Sequence, residues 1–138
     1  MSVPFLACMV AAAAFYHLPP RVLPSIQAVE GGRIGLAQFN TNGSADLGVM
    51  QVNTIWVKPL AAFTRLSNQE VIERLLHDPC FNIAASAAIM RLYLNQAHGN
   101  LMAAIGYYHS HSPGLGAAYQ EKVIAAAGGL FSRQRQRP

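Results

Sequence analysis

The 138-residue chain has the length of one domain, and with 52% apolar and 12% charged residues its composition is globular rather than disordered. Of the formal charge of +4, Arg133, Arg135 and Arg137 in the terminal "SRQRQRP" supply +3, which leaves +1 on the body. That balance speaks against a nucleic-acid binder, which needs basic residues along one folded face, and it divides the chain into one domain over 1–132 and a basic, disordered tail over 133–138.

The first apolar run, "FLACMVAAAAF" at 5–15, is too short to span a bilayer, which takes about 20 residues. No integral membrane segment is expected. The run resembles the core of a signal peptide, yet no Lys or Arg precedes it. The preferred reading is a first helix over 4–17, apolar because it is buried and stopped by "LPP". The alternative is a cleaved leader, and cleavage after Ala14 would remove Cys8. A second helix follows over 20–30, with Val22, Leu23, Ile26 and Val29 on one face and Gly31-Gly32 as its stop. Glu30 lies in its last turn, at the negative end of the helix dipole, where a carboxylate gains nothing.

Residues 34–39 and 45–52 read as extended runs around Asn42-Gly43, a two-residue hairpin signal, with Asp46 just beyond the turn. Thr54 opens a short helix. Ser67 begins "SNQE", a capping box for a helix over 68–77. Asp78 in "HDPC" caps a helix running from Asn82 to Ala97, and further helices cover 101–109 and Ser112-Pro113 to Gly128-Gly129. The fold class is α+β, predominantly α, with one small hairpin.

Only six acids occur. Glu70 and Glu73 suit the first turns of a capped helix, Asp78 suits a cap, and Glu121 neighbours Lys122 on an exposed face. Glu30 and Asp46 have no such excuse, although Asp46 has the alternative of bonding backbone amides near the turn. Glycosidic cleavage needs a carboxyl that keeps its proton near neutral pH, and apolar walls achieve this by desolvation. Met50, Val52 and Trp56 are candidates for those walls. His109 and His111 form a lone H-x-H, and His17, His77 and His98 are scattered with no Cys or acid at ligand spacing, so neither metal nor other cofactor is expected. Cys8 and Cys80 are the only cysteines. From count alone they are either free thiols or a bridge across about 70 residues, which would stabilise by about 4 kcal/mol in the chain-entropy model.

"AVEGG" followed by "DLGVMQVN" resembles the paired signature of the lytic transglycosylases of the lysozyme-like superfamily, and "AAIGYYH" at 103–109 resembles their third signature. The resemblance runs from about Cys8 to Gly114 and is nearest to the small stand-alone enzymes that accompany conjugation, type IV and type III secretion and pilus systems. It implies a lysozyme-like fold with the hairpin beside an active-site cleft. It makes Glu30 the catalytic acid and base, Gly48, Met50, Gln51 and Asn53 the sugar-binding wall, and Tyr108 a hydrogen-bonding neighbour of Glu30. His109, a further substrate-binding candidate, stands where relatives carry asparagine, and Gly31 where many carry serine. The hairpin also resembles that of animal-type lysozymes, with Asp46 in place of their second carboxylate. A Cys8–Cys80 bridge, peptidoglycan strands as substrate, parts of a secretion or conjugation apparatus as partners and a periplasmic or wall location follow from the same likeness. The expected activity is a lytic transglycosylase. The alternatives are a muramidase using Glu30 and Asp46, or a non-catalytic glycan-binding assembly module.

Overall fold

The computed structural model describes residues 2–135. Helix α1 (Leu6–Phe15) is followed by α2 (Val22–Glu30) and then by three short strands, β1 (Ala37–Phe39), β2 (Ala45–Leu47) and β3 (Val52–Asn53). A 3-10 turn at Thr54–Trp56 leads into α3 (Val57–Thr64), α4 (Asn68–His77), α5 (Pro79–Gln96), α6 (Leu101–His109) and α7 (Pro113–Arg135). The fold is predominantly α, in the α+β class and lysozyme-like, with a small antiparallel sheet inserted early.

α5 is the central element. Ile83, Ala87, Met90 and Leu94 are buried along it, and its start is set by Asp78, whose carboxylate accepts from the Phe81 N–H at 3.0 Å ahead of Pro79. α1 packs on α5 through Met9, Ala12 and Ala13, and Cys8 is disulfide-bonded to Cys80 with Cα atoms 5.3 Å apart. The expectation that α1 is apolar because it is buried holds for one face only, since Leu6, Val10 and Phe15 are exposed. The capping box at Ser67 and Glu70 forms as expected. Among the described residues, no helix is long and apolar enough to cross a membrane.

Three sequence expectations are corrected. The hairpin does not turn on a two-residue Asn-Gly pair. The Gly43 N–H bonds to the Asn40 carbonyl at 3.2 Å, and Gly43 alone takes a positive φ, of 86°, so the loop spans 40–44. The run 45–52 is not one strand, because Gly48 (φ 74°) and Gln51 (φ 53°) fold it back and β3 pairs with β2 in the register Asp46 to Asn53. Its apolar residues Val49 and Met50 are both buried on the inward side of a turn. Finally, α7 runs through Gly128-Gly129 to Arg135. Leu130 lines a groove with Ala28 and Gly31, and the Arg21 guanidinium lies 5.0 Å from the Phe131 ring centroid, so packing on α2 outweighs the cost of two helical glycines. The expected tail over 133–138 therefore begins inside α7, and 136–138 lie outside the described residues.

Asn82 ties the sheet to the helices. Its side chain is fully buried and donates to the Leu47 and Leu75 carbonyls at 2.8 and 2.9 Å, while its Oδ1 accepts from the Met50 N–H at 2.8 Å. Gly48 lies so close that a Cβ there would strike the Leu75 carbonyl and the Asn82 amide. Replacing Asn82 by Leu strands three backbone groups in the core, and urea denaturation should show a loss of about 3 kcal/mol or more. A loss below about 1 kcal/mol would contradict the role given to Asn82.

Candidate active site

α2 ends at Gly31 (φ 64°), and Gly32 sits so tightly against the Gly48 and Val49 carbonyls that a Cβ would collide with both. The end of α2 is thereby fixed to the turn between β2 and β3, and Glu30 faces a cleft of about 540 Å³. The sheet supplies Asp46 and Asn53 to this cleft, and the 40–44 loop supplies Asn40 and Ser44. The helical side supplies Trp56, Tyr93, Tyr107, Tyr108, His109, Tyr119 and Lys122.

The Glu30 carboxyl is pushed up to about 7, first by burial and then by the charge of Asp46. A hydrogen bond from the Tyr119 hydroxyl to Glu30 Oε1 at 3.1 Å and the charge of Lys122 oppose the shift without cancelling it. Near neutral pH the carboxyl is therefore divided between its two forms, which is the state a group needs in order to give a proton and later take one. The Tyr119 phenol is itself pushed far up, by burial and then by the charge of Glu30, so it remains a donor.

Asp46 lies on the same cleft. Its carboxylate accepts from the Asn53 Nδ2 at 2.9 Å and from the Asn40 Nδ2 at 3.3 Å. The reading in which Asp46 bonds backbone amides is not the arrangement found, because these partners are side chains. Asn53 also caps the 3-10 turn by accepting from the Ile55 N–H at 2.9 Å, so the sheet face and the following helix share one anchor.

Of the wall expected from sequence, Gln51 and Asn53 line the cleft, whereas Gly48 and Met50 do not. Met50 is fully buried, and its carbonyl accepts from the Tyr108 hydroxyl at 3.2 Å, which makes it part of the support beneath the wall. Val52 and Trp56 line the cleft as expected. Gln51 is 5% exposed; its Nε2 donates to the Gly48 carbonyl at 3.0 Å, which orients the amide and leaves Oε1 buried without a partner.

Tyr108 does not bond to Glu30. Its hydroxyl pairs with Ser86 Oγ at 2.8 Å as well as with Met50, near Glu30, and the direct bond to Glu30 comes from Tyr119. His109 stacks on the Tyr119 ring, with centroids 4.9 Å apart and planes 5° from parallel. Sequence reading missed Tyr119 because Tyr119 and Val123, four residues apart, look like the buried stripe of a helix, which they also are. A second aromatic group, in which Tyr107 stacks on His111 at 4.4 Å with Tyr93 edge-on to both, was also missed.

The pattern that defines the family described as "Transglycosylase SLT domain" matches residues 7–123, a span that holds Glu30, the sheet, α6 and Tyr119. The chain belongs to the transglycosylase SLT domain family. It is similar to invasion protein IagB of Salmonella typhimurium and of Salmonella typhi, with 30% identity over 108 residues, which is 75% of this chain. It spans 61% of the length of these curated relatives. In this SLT domain the bond to Glu30 comes from α7, beyond the three motifs that carry the resemblance.

Tyr119→Phe removes that bond and leaves the ring stacked on His109. Since the bond favours the ionised carboxyl, its loss raises the Glu30 pKa further. The titration midpoint of Glu30 should move up by roughly 1 unit, the equivalent of one hydrogen bond. An unmoved midpoint, or a downward move, would contradict the coupling.

Proposed function

We propose that the chain is a peptidoglycan lytic transglycosylase that cuts the β-1,4 bond between N-acetylmuramic acid and N-acetylglucosamine. The observation that carries this reading is the Glu30 carboxyl, held at about 7 by burial inside a cleft of polysaccharide-binding size. Protonated Glu30 gives its proton to the bridging oxygen, so that the N-acetylglucosamine end leaves as an alcohol rather than an alkoxide. The resulting carboxylate accepts the proton of the muramyl 6-hydroxyl as that oxygen bonds to C1. The products are a 1,6-anhydromuramyl end and a regenerated acid.

The rest of the cleft supports a glycan. Gln51 lines the floor of the cleft, with its amide held in place by the bond from Nε2 to the Gly48 carbonyl. Trp56 and the stacked Tyr107–His111 pair offer rings to the C–H faces of sugars. Asn53 and Asn40 add amides on the sheet side. No cofactor takes part in this scheme.

One observation favours a second chemistry. Asp46 lies on the cleft, held by Asn53 and Asn40, and its charge raises Glu30. In the muramidase reading it stabilises the cation while water completes hydrolysis. The Cys8–Cys80 bridge supports an oxidising location such as the periplasm or wall. The likeness to small enzymes of secretion and conjugation systems, together with the word "invasion" in the name of the IagB relatives, supports work beside an envelope-spanning apparatus.

Mass spectrometry of fragments released from purified sacculi should show 1,6-anhydromuramyl ends, and Glu30→Gln should lower their release by about 10³-fold or more. Asp46→Asn should retain activity within about tenfold, since the attacking hydroxyl belongs to the substrate. Reducing ends without anhydro sugar would replace this reading with the muramidase. Full digestion by Glu30→Gln would reduce the chain to a glycan-binding module.

A further inference from the structure

Lys122 is the one lysine or arginine among the residues that line the cleft. It follows Tyr119 by three positions on α7, which puts the two on one helix face and Lys122 beside the carboxyl that Tyr119 holds. Its side chain is exposed, and among the described residues no carboxylate lies within ion-pair distance of it. The fixed anionic side chain of the cleft, Asp46, belongs to the sheet. Glu30 therefore lies between an anionic wall on β2 and a cationic one on α7, and the cleft is asymmetric in charge along its width.

A peptidoglycan strand poses a problem that such an asymmetry answers. Its two sugars alternate and both carry an acetamido group, so a cleft that reads only acetamido and hydroxyl groups meets the two kinds of β-1,4 bond on nearly equal terms. The sugars differ at O3, where muramic acid bears a lactyl group. That group ends in a carboxylate when the strand is naked, and it leads to the carboxylates of the peptide stem when it is not.

We propose that Lys122 sets the register of the strand by pairing with a carboxylate carried by the muramic acid beside Glu30. The inference rests on the reading of peptidoglycan as substrate. Lysine suits the task as a flexible point charge that need not match one rigid geometry. Because its side chain is exposed, the pair is screened by solvent and salt, so its effect is moderate and falls as ionic strength rises.

The test measures binding rather than turnover, with Glu30→Gln as the background so that no strand is cut. Three probes are compared: strands bearing peptide stems, strands stripped of stems by an amidase, and stripped strands whose lactyl carboxylates have been converted to amides. Adding Lys122→Met should weaken binding about three- to fivefold on carboxylate-bearing strands and flatten the salt dependence, while Lys122→Arg should restore most of the affinity. The neutral amide strands should bind the background protein and its Lys122→Met form alike. A loss on stripped strands identifies the lactyl carboxylate as the partner, and a loss confined to stem-bearing strands identifies a stem carboxylate. Equal losses on charged and neutral strands, or no loss on either charged strand, would overturn the proposal while leaving the glycan reading intact. Failure to bind any of the three would overturn both. A hydrolytic product pattern from the active protein would overturn only the transglycosylase chemistry.

Discussion

A carboxyl group withdrawn from water, with one phenol to hold it, is the constraint on which the account of this domain depends. Burial drives the Glu30 pKa up more strongly than the Tyr119 hydrogen bond and the Lys122 charge drive it down. The balance falls at about 7 because the opposing contributions are of unequal size. A wetter site would release the proton at acid pH, and a site without Tyr119 or Lys122 would keep it to higher pH. The arrangement also costs stability. For a carboxyl whose folded pKa lies above its unfolded value, the contribution is fully present below about 4.5 and is lost as pH rises through about 7. The domain therefore carries a penalty at and above neutrality that a structural residue at position 30 would not impose.

The rest of the fold is arranged to meet that cost and fix the geometry. Gly32 lets the end of α2 touch the Gly48–Val49 backbone, and Asn82 bonds the same turn from below through Leu47 and Met50. Tyr108 reaches the Met50 carbonyl from α6, and Ser86 holds Tyr108 from α5. Three helices thus converge on one four-residue turn, and the position of Glu30 follows from it. The Cys8–Cys80 bridge secures α1 to the first turn of α5, at the base of this support.

Much of this was legible in the sequence because local signals and tertiary demands agree. Gly31-Gly32 ends α2 as expected and the Ser67 capping box forms where it was read, whereas α5 starts at Pro79 behind its Asp78 cap, three residues before the expected Asn82. Glu30 stood out because its place at a helix C-terminus made no local sense, and a residue without local benefit invites a tertiary explanation. The failures have a common physical origin. Gly48 to Gln51 was read as part of an extended run, but its backbone bends because Asn82, 34 residues after Gly48, holds the bend with buried hydrogen bonds. Gly128-Gly129 lies inside α7 because packing on α2 decides the matter. Tyr119 drew no reading and Lys122 was placed on an exposed face, since nothing local indicates that α7 crosses the cleft at Glu30.

The most direct test of the central claim is the titration of Glu30 itself, followed by NMR through its carboxyl carbon and assigned by comparison with Glu30→Gln. A midpoint near 7, well apart from the other carboxyls, is the result the account predicts. A midpoint near the ordinary value of 4.5 would mean that the side chain is solvated and ionised at neutral pH, and the acid role assigned to it would fail.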